Sequence, residues 1–328
     1  MHYLGIDVAK AKLDCQLLDS NTQKRKTKSV ANSPEGLASL LKALQAWGLQ
    51  PGEISAIIEP TSHYHELAAY ALHDAGCLVC LVNPANIRRY AQSIGVRSKT
   101  DAADAAVLAR YGAAERPRRW QPPPPGARAL RALLARRDAV AEDLQRERNR
   151  AEKLSATGMP EPVRQSLRAA MAFLEQQLKT LQEEIARHID SDPDLHPKRK
   201  LLLSIPGVGE RVAQNMTALL AAFDFQNAEA LAAYLGLVPV EWQSGSSIKG
   251  RARLSKAGPA HLRGLLYMPA VVAVRYNPHI RALYLRLLGK GKSKMSAIGA
   301  AMRKLVHLCF GVVHSAKPYD PSFKSKTV

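Results

Sequence analysis

The stretch His2-Tyr-Leu-Gly-Ile-Asp7-Val-Ala9 decides the fold of the first part of this 328-residue chain. Its short, almost uninterrupted apolar run predicts a buried strand. One carboxylate, Asp7, lies in the middle of that run. An acid in an apolar strand is costly to bury and stays charged only when it is paired or binds a metal. Asp7 is therefore the first candidate site residue.

The segments that follow predict a mixed α/β sheet. Residues 12–19 and 24–31 are typical of two more short strands, the second basic and suited to a sheet edge. Helices and strands then alternate: a helix at 34–47, a strand at 54–59, a helix to about 75, a strand at 77–82 and a further helix. This order predicts an α/β domain over residues 1–120. The fourth strand ends in a second acid, Glu59.

A third acidic feature lies at Ser98-Lys-Thr-Asp-Ala-Ala-Asp-Ala-Ala-Val-Leu-Ala-Arg110. The pattern predicts the start of a helix capped by Thr100 or Ser98. Asp101 and Asp104 are three residues apart, so their carboxylates share one helix face and repel each other unless a cation lies between them. Taken alone, two acids in a first turn are more often solvated and favoured by the helix dipole.

The order of these acids resembles that of the RNase H-like, and specifically the RuvC-like, nucleases. In those enzymes an Asp of the first strand, a Glu of the fourth and acids of a later helix converge on two divalent cations. The resemblance implies a metal site, suited to two Mg²⁺ ions for phosphoryl transfer, with the ligands Asp7, Glu59, Asp101 and Asp104. Asp14 and Asp19 are alternatives. Asp14 faces away from Leu13 and Cys15 and is expected on the solvent side.

Proline and heptad patterns divide the rest of the chain. Gln121-Pro-Pro-Pro-Pro-Gly126 predicts a stiff linker, and residues 127–200 predict a helical coiled-coil arm for oligomerisation or spacing. The second arm helix has a heptad seam formed by Leu167, Met171, Leu174, Leu178, Leu181, Ile185 and Ile189. Pairing within the chain and pairing between chains are both compatible with this pattern. Residues 201–328 then form a basic, mainly helical C-terminal domain.

Charge points to a polyanionic partner. The chain carries a net charge of +19, and residues 201–328 hold 17 Lys and Arg against 5 Asp and Glu. Such a one-signed excess is typical of proteins that bind nucleic-acid phosphate. A basic membrane-surface protein is disfavoured because no amphipathic anchor accompanies the charge. Four cysteines without framework spacing indicate a reducing, cytoplasmic setting.

Candidate phosphate-binding segments lie in the C-terminal domain. Ile205-Pro-Gly-Val-Gly209 resembles the turn of helix-hairpin-helix modules, although an ordinary turn between helices fits equally well. Residues 236–258 predict a flexible loop, rich in glycine and serine, that can approach a DNA backbone closely. The candidate nucleic-acid-binding residues are Lys99, Lys249, Arg251, Arg253, Lys256, Lys290, Lys292 and Lys294.

Over nearly its full length the sequence resembles the DEDD-type transposases of insertion-sequence family one-hundred-and-ten, relatives of the Piv DNA invertases. The motifs that carry the resemblance are Gly5-Ile-Asp7, Ile58-Glu59-Pro-Thr61, Lys99-Thr-Asp101-Ala-Ala-Asp104-Ala105, Ile205-Pro-Gly-Val-Gly209, Leu235-Gly-Leu-Val-Pro239, Ser244-Gly245 and Leu254-Ser-Lys256-Ala-Gly258. The resemblance implies a RuvC-like domain, a coiled-coil arm and a transposase domain with a nucleophilic serine. It also implies a homo-oligomer, from dimer to tetramer, with composite sites between protomers.

The resemblance further implies a DNA transposase or site-specific recombinase that is guided by a structured bridge RNA. Donor and target double-stranded DNA would be joined by Mg²⁺-dependent cleavage, a covalent phosphoserine link and strand exchange through a junction-like intermediate. Ser244 matches the position of the nucleophile, and Ser246 and Ser247 are alternatives. A RuvC-like junction resolvase without a covalent intermediate and a protein-only DNA invertase are alternative functions. The expected location is the bacterial cytoplasm, at the nucleoid and not at a membrane.

Overall fold

The computed structural model of the chain describes residues 1–60, 62–96, 100–155, 158, 160–241, 243–244, 248–249 and 253–323, with the backbone alone for 155, 243–244 and 248–249. The chain divides into two compact units, Met1–Pro122 and Pro123–Val328. The division lies within the proline-rich stretch expected to be a linker, but the first helix of the second unit already begins at Pro125.

The first unit contains the predicted mixed sheet. Its elements are β1 His2–Val8, β2 Lys12–Asp19, β3 Arg25–Ala31, α1 Pro34–Ala46, β4 Ile54–Ile58, α2 Tyr64–Asp74, β5 Leu78–Leu81, α3 Pro84–Ser93 and α4 Asp101–Glu115. The strand order is β3-β2-β1-β4-β5. The first three strands are antiparallel neighbours, whereas β4 and β5 run parallel to β1. This arrangement confirms the mixed α/β sheet.

Both faces of the sheet are covered by helices. The apolar side chains of α1 and α2 form one core with β1, β2 and β4, whereas α3 and α4 cover Ile57 and Cys80 on the other face. Helix α4 lies directly on β1 because Gly5 has no side chain. A Cβ atom at Gly5 would lie 2.1 Å from the carbonyl oxygen of Ala105 and 2.5 Å from the amide nitrogen of Ala109. This close approach brings the first turn of α4 near the carboxyl end of β1, where Asp7 lies.

The second unit begins with a pair of long helices, α5 Pro125–Ser155 and α6 Glu161–Ser191. They pack against each other within the chain, joined near the middle by an ion pair of Arg148 with Glu175 at 2.8 Å. Leu130, Leu134, Ile185 and Ile189 bury the base of the pair. Toward the tip the seam residues Leu167, Met171 and Leu174 are only partly buried. Phe173, which lies off the seam, is 62% exposed.

The base of this pair is fixed to the remaining helices. These are α7 Leu195–Leu203, α8 Glu210–Ala222, α9 Ala228–Tyr234, α10 Ala260–Leu265, α11 Tyr267–Tyr276, α12 Pro278–Gly289 and α13 Lys294–Ser315. The buried guanidinium of Arg137 on α5 donates to Gln214 Oε1 on α8 at 2.8 Å and pairs with Asp138. The hydrogen bond to Gln214 satisfies the buried guanidinium and links α5 to α8.

Short strands form a ribbon between α9 and α10, where the sequence predicts a flexible loop. Strands β6 Pro239–Val240 and β9 Arg253–Leu254 pair with each other, and β7 Gln243–Ser244 pairs with β8 Ile248–Lys249. The segment predicted to be a flexible loop therefore contains paired strands in its described part, and its flexibility stays a prediction.

Glycines fix the base of the ribbon. Gly236 and Gly258 both have positive φ, at +69° and +80°, where other residues are strained. A Cβ atom at Gly258 would lie 1.9 Å from the carbonyl oxygen of Tyr234, and one at Gly236 would lie 2.2 Å from that of Ala257. Arg263 closes the base by donating to the carbonyl oxygens of Leu235 and Ala257, each at 3.3 Å.

One helix in the described part of the chain, α13, is long and apolar enough to cross a membrane by length and composition alone. It supplies Ala297, Ala301, Leu305, Val306 and Cys309 to the core of the second unit. Core helices of soluble proteins commonly have this composition.

Candidate active site

The acids predicted from the sequence lie around Asp7 in the first unit. Asp7 lies near the carboxyl end of β1, and Glu59 directly follows β4. Asp101 and Asp104 lie in the first turn of α4. Thr100 caps that helix, since its Oγ1 accepts from the amide of Ala103 at 3.2 Å. The structure thus brings one strand end, one strand-to-helix connection and one helix start to a common place.

The neighbouring carboxylates affect the ionisation of Asp7. Burial raises the pKa of Asp7 to about 6, and the carboxylates of Asp104, Asp101, Glu59 and Asp14 contribute to this rise in that order. A carboxyl that is half-buried among like charges is harder to ionise, and a nearby cation favours its charged form. The cluster therefore attracts positive charge.

Asp14 belongs to this cluster, so the expectation that it faces solvent is wrong. It pairs directly with Asp7 across β1 and β2, and cross-strand partners point to the same face of a sheet. That face is the one covered by α4. The side chain of Asp14 is only 19% exposed.

Three of the acids are close enough to share one ion. Asp7, Asp14 and Asp101 each offer a carboxylate oxygen, and the three oxygens lie within 4.8 Å of one another. All are hard oxygen donors, which suits Mg²⁺ or Mn²⁺ better than softer metals. Glu59 and Asp104 are not members of this triad, although both act on the pKa of Asp7.

A lysine holds two of these acids together. Lys12 Nζ lies 2.9 Å from Asp14 Oδ2 and 2.7 Å from Asp101 Oδ2. These two contacts raise the pKa of Lys12, with Asp101 the larger cause. The ammonium therefore stays charged at physiological pH and joins β2 to the start of α4.

A cavity of about 280 Å³ opens beside the acids, between β2, β3 and α4. Its lining is mostly small or polar, and the residues are Asp14, Cys15, Gln16, Thr27, Lys28, Ser29, Ala102 and Ala105. Asp14 therefore borders both the acid cluster and this cavity.

The predicted site residues of the second unit lie on the ribbon and on a helix connection. Ser244 is on β7 and its backbone pairs with Ile248. Arg253 and Lys256 are exposed at the base of the ribbon. Lys290 and Lys292, between α12 and α13, and Lys294, the first residue of α13, are also exposed. Lys99, Arg251, Ser246 and Ser247 lie outside the described residues, as does the side chain of Lys249.

The turn at residues 205–209 joins α7 to α8. A Cβ atom at Gly207 would lie 2.6 Å from that of Ala273 on α11, and Gly207 has a φ of +100°. Glu210 at the start of α8 is paired with Arg199. These contacts account for the glycine by packing, and phosphate binding at the turn stays a prediction.

Comparison with known proteins identifies the family. A transposase family model for DEDD-type enzymes matches residues 4–157, and a model of the transposase IS116/IS110/IS902 family matches residues 199–285. The chain is 35% identical over 321 residues to the pilin gene-inverting protein of Moraxella lacunata, covering 97% of both chains. This chain belongs to the IS110 family of transposases.

Two other similar proteins are the pilin gene-inverting protein of Moraxella bovis and a solved structure of RuvC from T. thermophilus in complex with a Holliday junction substrate. The first is again 35% identical over 97% of both chains. The RuvC chain is 15% identical with a TM-score of 0.28, and the match covers 35% of the transposase and 96% of RuvC.

The sequence analysis named Asp14 only as an alternative expected to face solvent, and it did not identify Lys12 as a residue of the transposase's acid cluster. The alternation in Lys12-Leu-Asp14-Cys places both on the face opposite Leu13 and Cys15. The uninterrupted apolar run of β1 could have indicated their location. A strand that is buried on both faces must have a covering helix on the face that carries Asp7, and neighbouring strands share that face.

Proposed function

We propose that this transposase cuts and rejoins double-stranded DNA, with the acids around Asp7 binding divalent cations, most simply two Mg²⁺ ions. The proposed ligands are Asp7, Glu59, Asp101 and Asp104. The observation that carries this function is the meeting of acids around Asp7. Asp7 and Asp101 belong to a triad, with Asp14, whose carboxylate oxygens lie within 4.8 Å of one another, and Glu59 and Asp104 contribute to the raised pKa of Asp7. Carboxylates held this close suit a divalent cation, and paired metal ions can clamp a phosphate for in-line displacement.

The location of the acids also supports a RuvC-like, RNase H-like unit. An Asp lies on the first strand, a Glu follows the fourth and two acids begin a later helix, which is the order of ligands in that class of nuclease. When bound, the metal ions stabilise charge on the phosphate in the transition state. The residues of the chain hold those ions and orient the strand that is cut.

We further propose that the DNA is joined through Ser244. Its Oγ attacks phosphorus, the bond from phosphorus to the adjoining deoxyribose oxygen breaks, and the serine proton ends on that leaving oxygen. The total number of phosphodiester bonds is conserved, so the link can be reversed by a new DNA hydroxyl. A ribbon whose base is fixed by two glycines and Arg263 suits a nucleophile that needs a defined approach.

The covalent step is tested with protein purified together with its copurifying RNA, Mg²⁺ and labelled DNA that includes both boundaries of the transposase's own gene with their flanking chromosomal sequence. We expect a DNA adduct that survives denaturing electrophoresis and disappears with Ser244→Ala. The control variants Ser246→Ala and Ser247→Ala should keep it. Normal cleavage without an adduct would favour the resolvase alternative and overturn the serine mechanism.

The proposed partners are donor and target DNA, a bridge RNA and further copies of the chain. The RNA rests on the resemblance of the sequence to bridge-RNA-guided recombinases, and a dimer or tetramer is supported by the exposed Phe173 on the α5–α6 pair. Exposed lysines at residues 290, 292 and 294, far from any acid in sequence, suit phosphate. We place the enzyme in the bacterial cytoplasm, at the nucleoid.

A second candidate is a DNA invertase that works without RNA. It is favoured by the match to pilin gene-inverting proteins over 97% of both chains. Sequencing of nucleic acid that copurifies with the protein, expressed together with its flanking chromosomal DNA, distinguishes the two. One enriched RNA from the flanking sequence, required for recombination in vitro, supports guidance; recombination that survives ribonuclease treatment supports the invertase.

A further inference from the structure

The ammonium of Lys12 lies between two carboxylates of the acid cluster, those of Asp14 and Asp101. Lys12 and Asp14 are two residues apart on β2, so both side chains point to the face covered by α4. The Nζ atom contacts Asp14 on that strand and Asp101 on α4, at 2.9 and 2.7 Å. One lysine thus joins a strand and a helix through two carboxylates.

The same two carboxylates also belong to the set that can share a metal ion. Asp7, Asp14 and Asp101 present oxygens within 4.8 Å of one another. Divalent cations take carboxylate oxygens at roughly 2.0–2.6 Å, and the lysine ammonium holds two of these carboxylates at hydrogen-bond distance. Because both need the same carboxylates, a dication and the ammonium compete.

The side chain of Lys12 can move away from the two carboxylates. Its side chain is 49% exposed, and a lysine carries its charge on a flexible four-carbon stem. Exposed ion pairs are weak, whereas a dication held by three carboxylates gains from each of them. The exchange therefore favours the metal when it is present.

We propose that Asp14 is part of the cation site and that Lys12 is the counter-charge that a divalent cation displaces from Asp14 and Asp101. This inference rests on the proposed function, which assigns a cation to the acids of the first unit. The displaced ammonium remains on the strand beside the cation, where it can bind a phosphate of the DNA.

Substitutions of Asp14 and Lys12 should change cation affinity in opposite directions. Asp14→Asn keeps the size of the side chain but removes a charged ligand, so Mn²⁺ affinity should fall by about 10-fold or more. Lys12→Met keeps most of the length and removes the competitor, so Mn²⁺ affinity should rise by about 3-fold or more. A lysine that merely buttressed the site would give the reverse result, since its loss would loosen the ligands.

The test is a Mn²⁺ titration of the full-length protein without DNA, with free Mn²⁺ read from its electron paramagnetic resonance signal. Asp7→Asn reports on the proposed metal site itself. Asp19→Asn and Lys24→Met are matched controls at the far end of β2 and just before β3, and thermal unfolding of each variant verifies folding. Wild-type affinity is expected for both controls.

The outcomes separate the inference from the proposed function. Weaker binding by Asp14→Asn with tighter binding by Lys12→Met supports the inference. Wild-type binding by both variants, or weaker binding by Lys12→Met, overturns it, and the proposed function stands if Asp7→Asn still binds less Mn²⁺. A wild-type protein that binds no Mn²⁺ overturns both.

Discussion

Asp7 and Asp14 lie directly opposite each other on neighbouring antiparallel strands, and their carboxylates point to the same face of the sheet. Like charges placed so are destabilising unless positive charge lies close by. Lys12 supplies one such charge through Asp14. The first turn of α4 adds two more acids to the same place, so the net charge of the cluster stays negative.

Cation binding should depend on pH through Asp7. Its pKa is raised from 3.8 to about 6, and a carboxyl group must lose its proton to bind a metal. We expect Mn²⁺ affinity to be nearly constant above pH 7 and to fall by up to about 10-fold from pH 6 to pH 5. The same titration on Asp7→Asn should lack this dependence on Asp7, and an equal pH profile for both proteins would contradict the assignment.

The stability of the protein should change with pH in the opposite direction when no metal is added. Because the folded protein holds the Asp7 proton more tightly than the unfolded chain does, this contribution to the free energy of unfolding is present below pH 3.8 and is lost as the pH rises through about 6. The measurement is urea unfolding of wild type and Asp7→Asn across that range in chelator. As the pH rises, the free energy of unfolding of wild type should fall relative to that of Asp7→Asn.

The close approach of α4 to β1 should make Gly5 intolerant of a methyl group. Gly5→Ala places Cβ 2.1 Å from the carbonyl oxygen of Ala105, so α4 must move, and overpacking of this kind costs roughly 1–3 kcal/mol. Since α4 carries Asp101 and Asp104, cation binding should weaken together with stability. Chemical unfolding and the Mn²⁺ titration check both effects.

The matched control for Gly5 is Gly52, in the same unit. A Cβ atom at Gly52 meets nothing within 4 Å, so Gly52→Ala should keep both the stability and the cation affinity of wild type. Equal behaviour of the two variants would show that α4 is not held on β1 by this contact.

Most strands and helices of the first unit can be predicted from the sequence, because the apolar patterning of each strand indicates how buried it is. The run around Asp7 and the helix start at Thr100 have local signals, in apolar patterning and in a capping hydroxyl. The role of Asp14 has none. Alternation shows only that it faces away from Leu13, and whether that face meets water depends on α4, which begins almost 90 residues later in the chain.

The ribbon around Ser244 shows the same limit. Glycine, serine and lysine in residues 236–258 are typical of loops, and two-residue strands are too short to have a periodicity. The pairing of β6 with β9 depends on Gly236 and Gly258, whose positive φ and lack of a side chain allow the two ends to approach. Local composition identifies such glycines but not the partner that each one approaches.

The base of the ribbon should be sensitive to Gly258→Ala. The new Cβ atom would lie 1.9 Å from the carbonyl oxygen of Tyr234 and the residue has a φ of +80°, so the ribbon must shift. We expect the phosphoserine adduct to fall by about 10-fold or more, because small displacements of a nucleophile are costly, with DNA affinity nearly unchanged. Gly264→Ala, which meets nothing within 4 Å, is the control; an unchanged adduct in Gly258→Ala would contradict this role.

The lysines between α12 and α13 should contribute to DNA affinity through phosphate. Replacing Lys290, Lys292 and Lys294 with glutamine should weaken binding without regard to DNA sequence and reduce the salt dependence, by about 0.9 in the log–log slope for each phosphate that the variant no longer neutralises. Fluorescence anisotropy at several salt concentrations gives the slope. The control replaces Arg164, Arg168 and Lys179 on α6, and a similar loss in both triple variants would indicate nonspecific charge.

The central claim is that the acids around Asp7 bind the cations that cut DNA. The most direct test measures new recombination junctions, by quantitative PCR, in cells carrying the gene with its flanking chromosomal DNA. Asp104→Asn is compared with Asp74→Asn, an exposed acid on α2. We predict a loss of junctions of roughly 100-fold or more for Asp104→Asn at equal protein level, and none for Asp74→Asn. Junctions at the wild-type rate in Asp104→Asn would contradict the claim.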